Sequence, residues 1–196
     1  MNPTLIPPSL TRPDLATLIG DLHHAVHVSD EGQHRIDAVA SALQPFLGGP
    51  DLLRPDQIVG DPHAYRQHLL HASKDGSFSL VALVWLPGQA TAIHDHLSWC
   101  VVGIHRGAEY ETRYELTPDD ELLETGSAVT QVGDVSGLLP PGDIHRVHNV
   151  GDDLAVSLHV YGADLTEVGT SIRRRYDQTP VSPLMSAGAG RGASRR

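Results

Sequence analysis

The sequence predicts a mainly β fold, a closed sandwich or barrel, preceded by a helical N-terminal segment. Two observations carry this. From Ser77 to Tyr161 the chain breaks into short runs rich in β-branched and aromatic residues, divided at short intervals by Gly, Pro and Asp. Before residue 50, apolar residues recur instead every three or four positions, the helical period. The length of 196 residues suits one domain with a proper core. The expected division is a helical segment over 1–60, a barrel over 61–176 and a disordered tail over 177–196.

Residues 1–11 are Pro-rich and read as a loose lead-in. Thr11 or Asp14 is placed to cap a helix, with Pro13 in its first turn. Leu15, Leu18, Ile19, Leu22 and Val26 then form one apolar face. A second helix is predicted over 33–46, where Ile36, Val39, Ala40, Leu43 and Phe46 share a face, and Gly48, Gly49 and Pro50 stop it. A shorter helical stretch is expected over 55–59 or 64–71. The pattern then turns to β. Residues 78–85 form an apolar run ended by Pro87 and Gly88, and 92–104 form a second before the turn at Arg106 and Gly107. Residues 110–116 alternate and end in the turn cluster 117–120. Strands over 121–125, 127–132, 135–139, 144–150 and 155–161 follow, split by Gly, Pro and Asp. From Arg173 the chain is charged, and 186–196 reads as a disordered tail.

Composition excludes several classes of function. A net charge of −10 argues against a general binder of nucleic acid or anionic membrane, and the diluted arginines from Arg191 to Arg196 do not reverse it. No apolar run approaches the length of a membrane span. The N-terminal residues lack the basic region and apolar core of a secretory signal. The single cysteine rules out an internal disulfide and agrees with a reducing cytoplasm. Of the 13 histidines, His23, His24, His27 and His34 fall in the helical region and read as solvated or capping residues.

Spacing gives geometry to three of the others. His94 and His96 are two apart, and alternate residues of a strand share a face. His145, from a separate strand, offers a third imidazole. Three neutral nitrogen donors on one side of a metal leave the other side open for substrate and oxygen.

Two blocks of residues resemble the paired motifs of the cupin superfamily. Gly88, His94, His96 and Gly107 fit the first, with Cys100 where that motif carries Glu. Pro140, Gly142, His145 and Asn149 fit the second, its leading glycine one position out of register at Gly133. Treating these histidines as ordinary barrel residues leaves the matched spacing unexplained. The resemblance implies a small β-barrel or double-stranded jelly roll with the N-terminal helices packed outside. It also implies a metal held by His94, His96 and His145. Without the Glu ligand, three neutral imidazoles leave a divalent metal its full double charge, which favours an anionic, chelating substrate such as a thiolate.

Within the cupins the chain resembles the thiol dioxygenases: cysteine dioxygenase and its bacterial relatives that act on 3-mercaptopropionate. The resemblance runs over about 60–176 and rests on residues 64–69, 93–96, Cys100, 145–147 and 157–161. It implies Fe(II) as the metal, although nickel also suits three imidazoles, and O2 with a small thiol as substrates. It implies a relay of Ser157, His159 and Tyr161, which alternate along one strand and so share a side. A Tyr161 hydroxyl held by His159 can donate to the oxygenated intermediate or to a substrate carboxylate. In the animal enzymes a cysteine is joined to this tyrosine through a thioether. Cys100 matches that cysteine when one residue is dropped from the interval after the histidines.

Substrate anchoring departs from the animal pattern, in which a Tyr-x-Arg segment puts an arginine on the substrate carboxylate. Here Tyr65, Arg66 and Gln67 occupy the segment, and Gln67 takes the arginine's place. That glutamine resembles the bacterial group, whose members usually carry a small residue where this chain has Cys100. Gln offers neutral hydrogen bonds in place of a bidentate charged grip. The missing charge is sought in Arg66, or in Arg173, Arg174 or Arg175. Trp85 and Trp99 read as barrel wall or pocket lining.

The expected function is oxidation of a small thiol by O2 to a sulfinic acid, with L-cysteine ahead of 3-mercaptopropionate. Two alternatives stand beside it. One is a cysteine-oxidising cupin of specialised metabolism that gives a rearranged S-oxygenated product. The other is a non-catalytic metal- or ligand-binding cupin, which has no need of the Ser157, His159 and Tyr161 relay. The chain is expected to work as a monomer or homodimer, without nucleic acid or membrane.

Overall fold

The computed structural model describes residues 5–6, 13–29 and 31–181. Its elements are β1 (Leu5–Ile6), α1 (Pro13–Val28), α2 (Gln33–Leu43), β2 (Arg66–Ala72), β3 (Ser79–Trp85), β4 (Ile93–His96), β5 (Cys100–Arg106), β6 (Ala108–Leu116), β7 (Leu122–Gln131), β8 (Val135–Leu138), β9 (His145–His148), β10 (Ala155–Tyr161), α3 (Leu165–Val168) and β11 (Ile172–Tyr176). A six-stranded sheet runs β1-β2-β3-β10-β5-β8 and a five-stranded sheet β11-β4-β9-β6-β7. The pairings are antiparallel except that of β1 with β2. This is the mainly β, two-sheet architecture expected from the sequence, with its helices outside. Among the described residues, no helix is long and apolar enough to cross a membrane.

The helices cover the outer face of the six-stranded sheet. Leu18 and Leu22 of α1 and Val39 and Leu43 of α2 are fully buried against Leu80 and Val84 of β3, Val101 of β5, and Val156, Leu158 and Val160 of β10. Burying each such leucine contributes roughly 1.5–3 kcal/mol. Glycine lets α2 approach closely: a Cβ on Gly137 would lie 2.2 Å from Ile36, and one on Gly103 2.9 Å from Leu43. The alternate residues Val81, Leu83 and Trp85, Cys100 and Val102, and Ala155 and Tyr161 face inward and form the barrel core. Strands β3 and β10 are therefore buried on both sides, which is why the sequence of β3 reads as a nearly unbroken apolar run.

Four local expectations change. Residues 64–71 are not helical; β2 takes up Arg66–Ala72. His68, Leu69 and Leu70 are buried in succession because this strand too is covered on both faces, so its sequence shows no alternation. The short helix falls instead at Pro55–Ile58 as one 3-10 turn, with Gln57 accepting from the Arg54 backbone at 3.0 Å. The run 92–104 divides at 97–99 into β4 and β5, which belong to different sheets. The runs 121–125 and 127–132 join into β7. Gly126 stays within that strand, beside a register shift opposite Arg113 and Tyr114, a bulge rather than a turn. The second helix ends in a 3-10 turn over Gln44–Phe46.

Strand β11 was not foreseen, since its three arginines read as a solvated stretch. Beyond it Val181 donates to the Leu122 carbonyl at 2.8 Å. The cap expected at Thr11 and the tail expected over 186–196 lie outside the described residues.

Candidate metal centre

His94 and His96 occupy alternate positions of β4, and His145 begins β9 directly opposite His94 in the ladder. The three rings lie 4.7–5.0 Å apart between centroids and are almost wholly buried. Each offers a ligand atom within 4.8 Å of the others. The group can hold a divalent metal.

What fixes the rings is visible at the other nitrogen of each. His94 Nδ1 donates to the Ala92 carbonyl at 2.9 Å. His96 Nδ1 donates to Asp143 Oδ2 at 2.9 Å, and that oxygen also accepts the His96 backbone N–H at 3.0 Å. His145 Nδ1 donates to Glu111 Oε1 at 2.8 Å. With every Nδ1 engaged as donor, the Nε2 lone pairs remain for a metal. His145 Nε2 is buried with no partner, a polar atom that a bound cation would satisfy. The residues present therefore fit a divalent metal.

Burial, then the neighbouring His145 and His96, hold His94 well below the usual imidazole range. Burial also lowers His145, against the pull of Glu111. Neutral imidazoles are what a metal requires. Burial alone would raise the two carboxyls behind them. The hydrogen bond and charge of His145, with Arg113 3.1 Å away, keep Glu111 below its ordinary value. Those of His96 do the same for Asp143. Neither Asp143 nor Glu111 was singled out from sequence. Asp143 precedes His145 by two residues, the one signal that could have found it.

Asp95, between the ligands in sequence, faces away from them. Arg173 and, at 2.9 Å, the Tyr176 hydroxyl donate to its buried carboxylate, tying β4 to β11.

On the open side of the rings lies a small, partly open pocket bounded by Tyr65, Gln67, Trp85, Tyr161 and Ile172. Strand β10 supplies one wall. Ser157 Oγ and His159 Nε2 are 2.9 Å apart, and the Tyr161 hydroxyl is 3.1 Å from His159 Nδ1. The three expected relay residues are thus joined in one chain. Tyr161 also lies 6.0 Å, centroid to centroid, from His96. Burial, with the charges of His96 and His145, pushes His159 down to about 3, so it is neutral at ordinary pH. Burial, then Cys100, raises the Tyr161 phenol well above its usual value.

Cys100 stands directly opposite Tyr161 in the β10–β5 ladder, fully buried, with Sγ 3.9 Å from His159 Nδ1. Burial raises its thiol well above the usual range. It is not part of the three-histidine group. Tyr65 stacks on Trp85 at 4.3 Å. Burial raises its phenol, against the Arg175 charge and a hydrogen bond with Gln67.

Arg66 does not line the cavity; it lies 3.4 Å from Asp61. Of the three arginines on β11, Arg173 meets Asp95 and Arg174 lies over the Tyr176 ring at 4.5 Å. Arg175 is opposite His94 in register, and its charge reaches Tyr65. Trp99 packs among the helix-facing apolar residues, not in the cavity. A second cluster, His23, His27 and Asp75, is exposed, and there the Asp75 carboxylate already occupies His27 Nε2 at 2.7 Å.

Residues 21–178 match the family described as cysteine dioxygenase type I. The chain is 33% identical over 154 residues to cysteine dioxygenase type 1 of Danio rerio, covering 75% of this chain and 73% of that protein. It is 30% identical over 106 residues to cysteine dioxygenase type 1 of Rattus norvegicus, covering 52% of each. The match thus spans about half the length of the rat protein. Among solved structures, a protein from Klebsiella pneumoniae with a double-stranded β-helix domain is 15% identical, with a TM-score of 0.46 over 59% of this chain and 87% of that one. A cupin superfamily protein from Desulfitobacterium hafniense is 13% identical, with a TM-score of 0.44 over 61% and 96%.

Proposed function

The chain belongs to the cysteine dioxygenase type I family, a family of oxygen-incorporating oxidoreductases, and on that footing we propose that it is an iron(II)-dependent thiol dioxygenase. The reaction is RSH + O2 → RSO2H, with both oxygen atoms placed on sulfur and no other reductant needed. L-Cysteine is the first substrate and 3-mercaptopropionate the second. A reducing cytoplasm suits both the thiol and the ferrous ion.

The observation that carries this is a three-histidine group whose open side faces the Ser157, His159 and Tyr161 chain across a small cavity. A non-catalytic binder gains nothing from that chain. His94, His96 and His145 would hold the iron, which supplies the redox chemistry that joins sulfur to O2. Tyr161, steadied by His159, offers a hydroxyl proton at the cavity wall. Gln67 and Tyr65 orient the polar end of the substrate. Arg175, opposite His94 in the ladder and within electrostatic reach of Tyr65, would supply the positive charge that Gln67 lacks. Gln67 in place of arginine favours 3-mercaptopropionate as the second reading. Cys100 opposite Tyr161 favours cysteine, because it reproduces the animal arrangement.

The test is oxygen uptake by iron-loaded protein with L-cysteine, 3-mercaptopropionate, cysteamine and no thiol, with products identified by mass spectrometry after labelled O2. A product two labelled oxygens heavier than the thiol is expected. Absence of thiol-dependent uptake from all three would overturn the proposal.

A further inference from the structure

One buried acid has no part in holding the metal. Glu109, on β6, points into the barrel and is only 1% exposed. Its carboxyl lies close enough to Ser157 and Trp85 for their polar hydrogens to favour its charged form, and Oε1 is left without a partner. Trp85 Nε1 in turn donates to Ser157 Oγ at 3.2 Å. Glu109 therefore sits at the end of the Ser157, His159 and Tyr161 chain remote from the cavity.

The hydrogen bonds along that chain run one way or the other as a set, since each member has few protons to offer. With Glu109 protonated, its O–H donates to Ser157 Oγ and Ser157 donates to His159 Nε2. His159 then carries its proton on Nδ1 and donates to the Tyr161 oxygen, and the Tyr161 hydrogen is free to point into the cavity. With Glu109 ionised, Ser157 donates to the carboxylate instead. His159 must then donate from Nε2, its Nδ1 becomes an acceptor, and the Tyr161 hydrogen turns back towards it. The two states differ by one proton, lost from Glu109; the others only change partner.

We propose that Glu109 is a positioning residue of the relay, and that its proton sets whether the Tyr161 hydroxyl donates into the cavity. The significance of this for turnover rests on the thiol dioxygenase reading; the direction of the hydrogen bonds does not. Burial pushes the carboxyl up to about 7, with Glu111 adding to the rise. The groups facing it are few. Glu111 lies two residues along the same strand, itself engaged with His145 of β9. His159 and Tyr161 come from β10, the uncharged Trp85 from β3, and Thr130 stands opposite on β7.

The direct experiment needs no turnover. Full-length protein loaded with zinc, which is diamagnetic, and carrying ¹⁵N-histidine is titrated from about pH 5 to 9 by NMR. The His159 proton is expected on Nδ1 at low pH and on Nε2 at high pH, with a midpoint near 7. In Glu109→Gln, whose amide donates to Ser157 throughout, the Nδ1 form should persist. A His159 tautomer that does not change with pH in the wild type overturns the proposal, and so does one that changes identically in Glu109→Gln. Infrared difference spectra of the wild type provide a measure that needs no variant: loss of a protonated carboxyl band must track the tautomer change. With iron and the preferred thiol, kcat should fall about tenfold per pH unit above the midpoint, with little change in KM. That limb should vanish in Glu109→Gln. Lack of turnover with every thiol would defeat the functional reading yet leave the tautomer result to stand or fall alone.

Discussion

Asp143→Ala removes an acceptor that holds His96 twice, at Nδ1 (2.9 Å) and at the backbone N–H (3.0 Å). Each is a hydrogen bond to a charged group, worth about 1.5–3 kcal/mol. The two act on different quantities. The backbone contact is the same with and without metal, so its loss lowers stability and leaves affinity alone. The ring contact fixes the orientation and tautomer of a ligand, so its loss falls on the metal. Removing such a partner typically weakens binding about 10–100-fold, or roughly 1.4–2.7 kcal/mol. His96 is only 2% exposed, so water replaces the carboxylate poorly and the upper half of that range is expected. Competition with a chelator for zinc at neutral pH measures the affinity, and thermal melts with and without zinc measure the stability. Asp143→Asn, which keeps one acceptor oxygen, should fall between the wild type and Asp143→Ala. Affinity within about threefold of wild type in a folded Asp143→Ala protein would refute the idea that this carboxylate positions His96 for the metal.

His145→Ala should abolish both metal binding and turnover, whereas Tyr161→Phe should keep the metal and slow turnover about 10²–10⁴-fold; loss of metal from Tyr161→Phe would show that its assigned role is wrong. Cys100 and Tyr161 are direct partners across the ladder, so aerobic incubation with iron and thiol should join them in a thioether, with O2 taking the two hydrogens. Intact mass should then be lower by two hydrogens, and Cys100→Ser should show no deficit. Arg175→Ala should raise KM for a carboxylate-bearing thiol about tenfold and leave that for cysteamine nearly unchanged; an equal rise for both would remove Arg175 from substrate binding. Metal-free protein should lose stability as pH falls below about 6.5. His159, held near 3, and His94 and His145, also lowered, bind fewer protons folded than unfolded in that range. Glu109 acts in the opposite sense between about pH 7 and 4.5. Three histidines against one carboxyl decide the sign, and a melting temperature that rises on acidification would contradict it.

His94, His96 and His145 were legible because two strand-borne imidazoles at alternate positions are rare without purpose, and the second block repeats the argument independently. The outer helices were legible because each has one wet face. Where both faces are dry, the sequence lost its period: Arg66–Ala72 looked no more like a strand than a helix, although its neighbours bury it on both sides. The division between β4 and β5 falls in Leu97, Ser98 and Trp99, with neither Gly nor Pro to mark it. Glu109, Glu111 and Asp143 escaped notice for a different reason. A lone acidic residue on a strand or turn is usually solvated, and apart from Asp143's place two residues before His145, nothing along the chain tells that these acids face a buried imidazole or serine. Arg175 was hidden among three consecutive arginines, and only the ladder with β4 distinguishes it from Arg173 and Arg174.

Those buried acids alter the electrostatic argument made from the ligands alone. Three neutral imidazoles do leave a divalent metal its full charge at the atoms that touch it. Behind two of those imidazoles, however, stand the carboxylates of Asp143 and Glu111, both held ionised by the rings they serve. Each draws its ring's Nδ1 proton and makes the opposite nitrogen a stronger donor, while offsetting the metal's charge at longer range. A metal held there would remain a good partner for the proposed thiolate in direct contact, where distance favours the metal over the carboxylates. It would be a poor long-range attractor for the rest of an anionic substrate. A carboxylate several ångströms from the metal therefore needs a cation of its own. Gln67 cannot supply it, and Arg66 is engaged with Asp61. That leaves Arg175, beside His94 in the ladder and within electrostatic reach of Tyr65, as the residue on which discrimination between charged and uncharged thiols should turn.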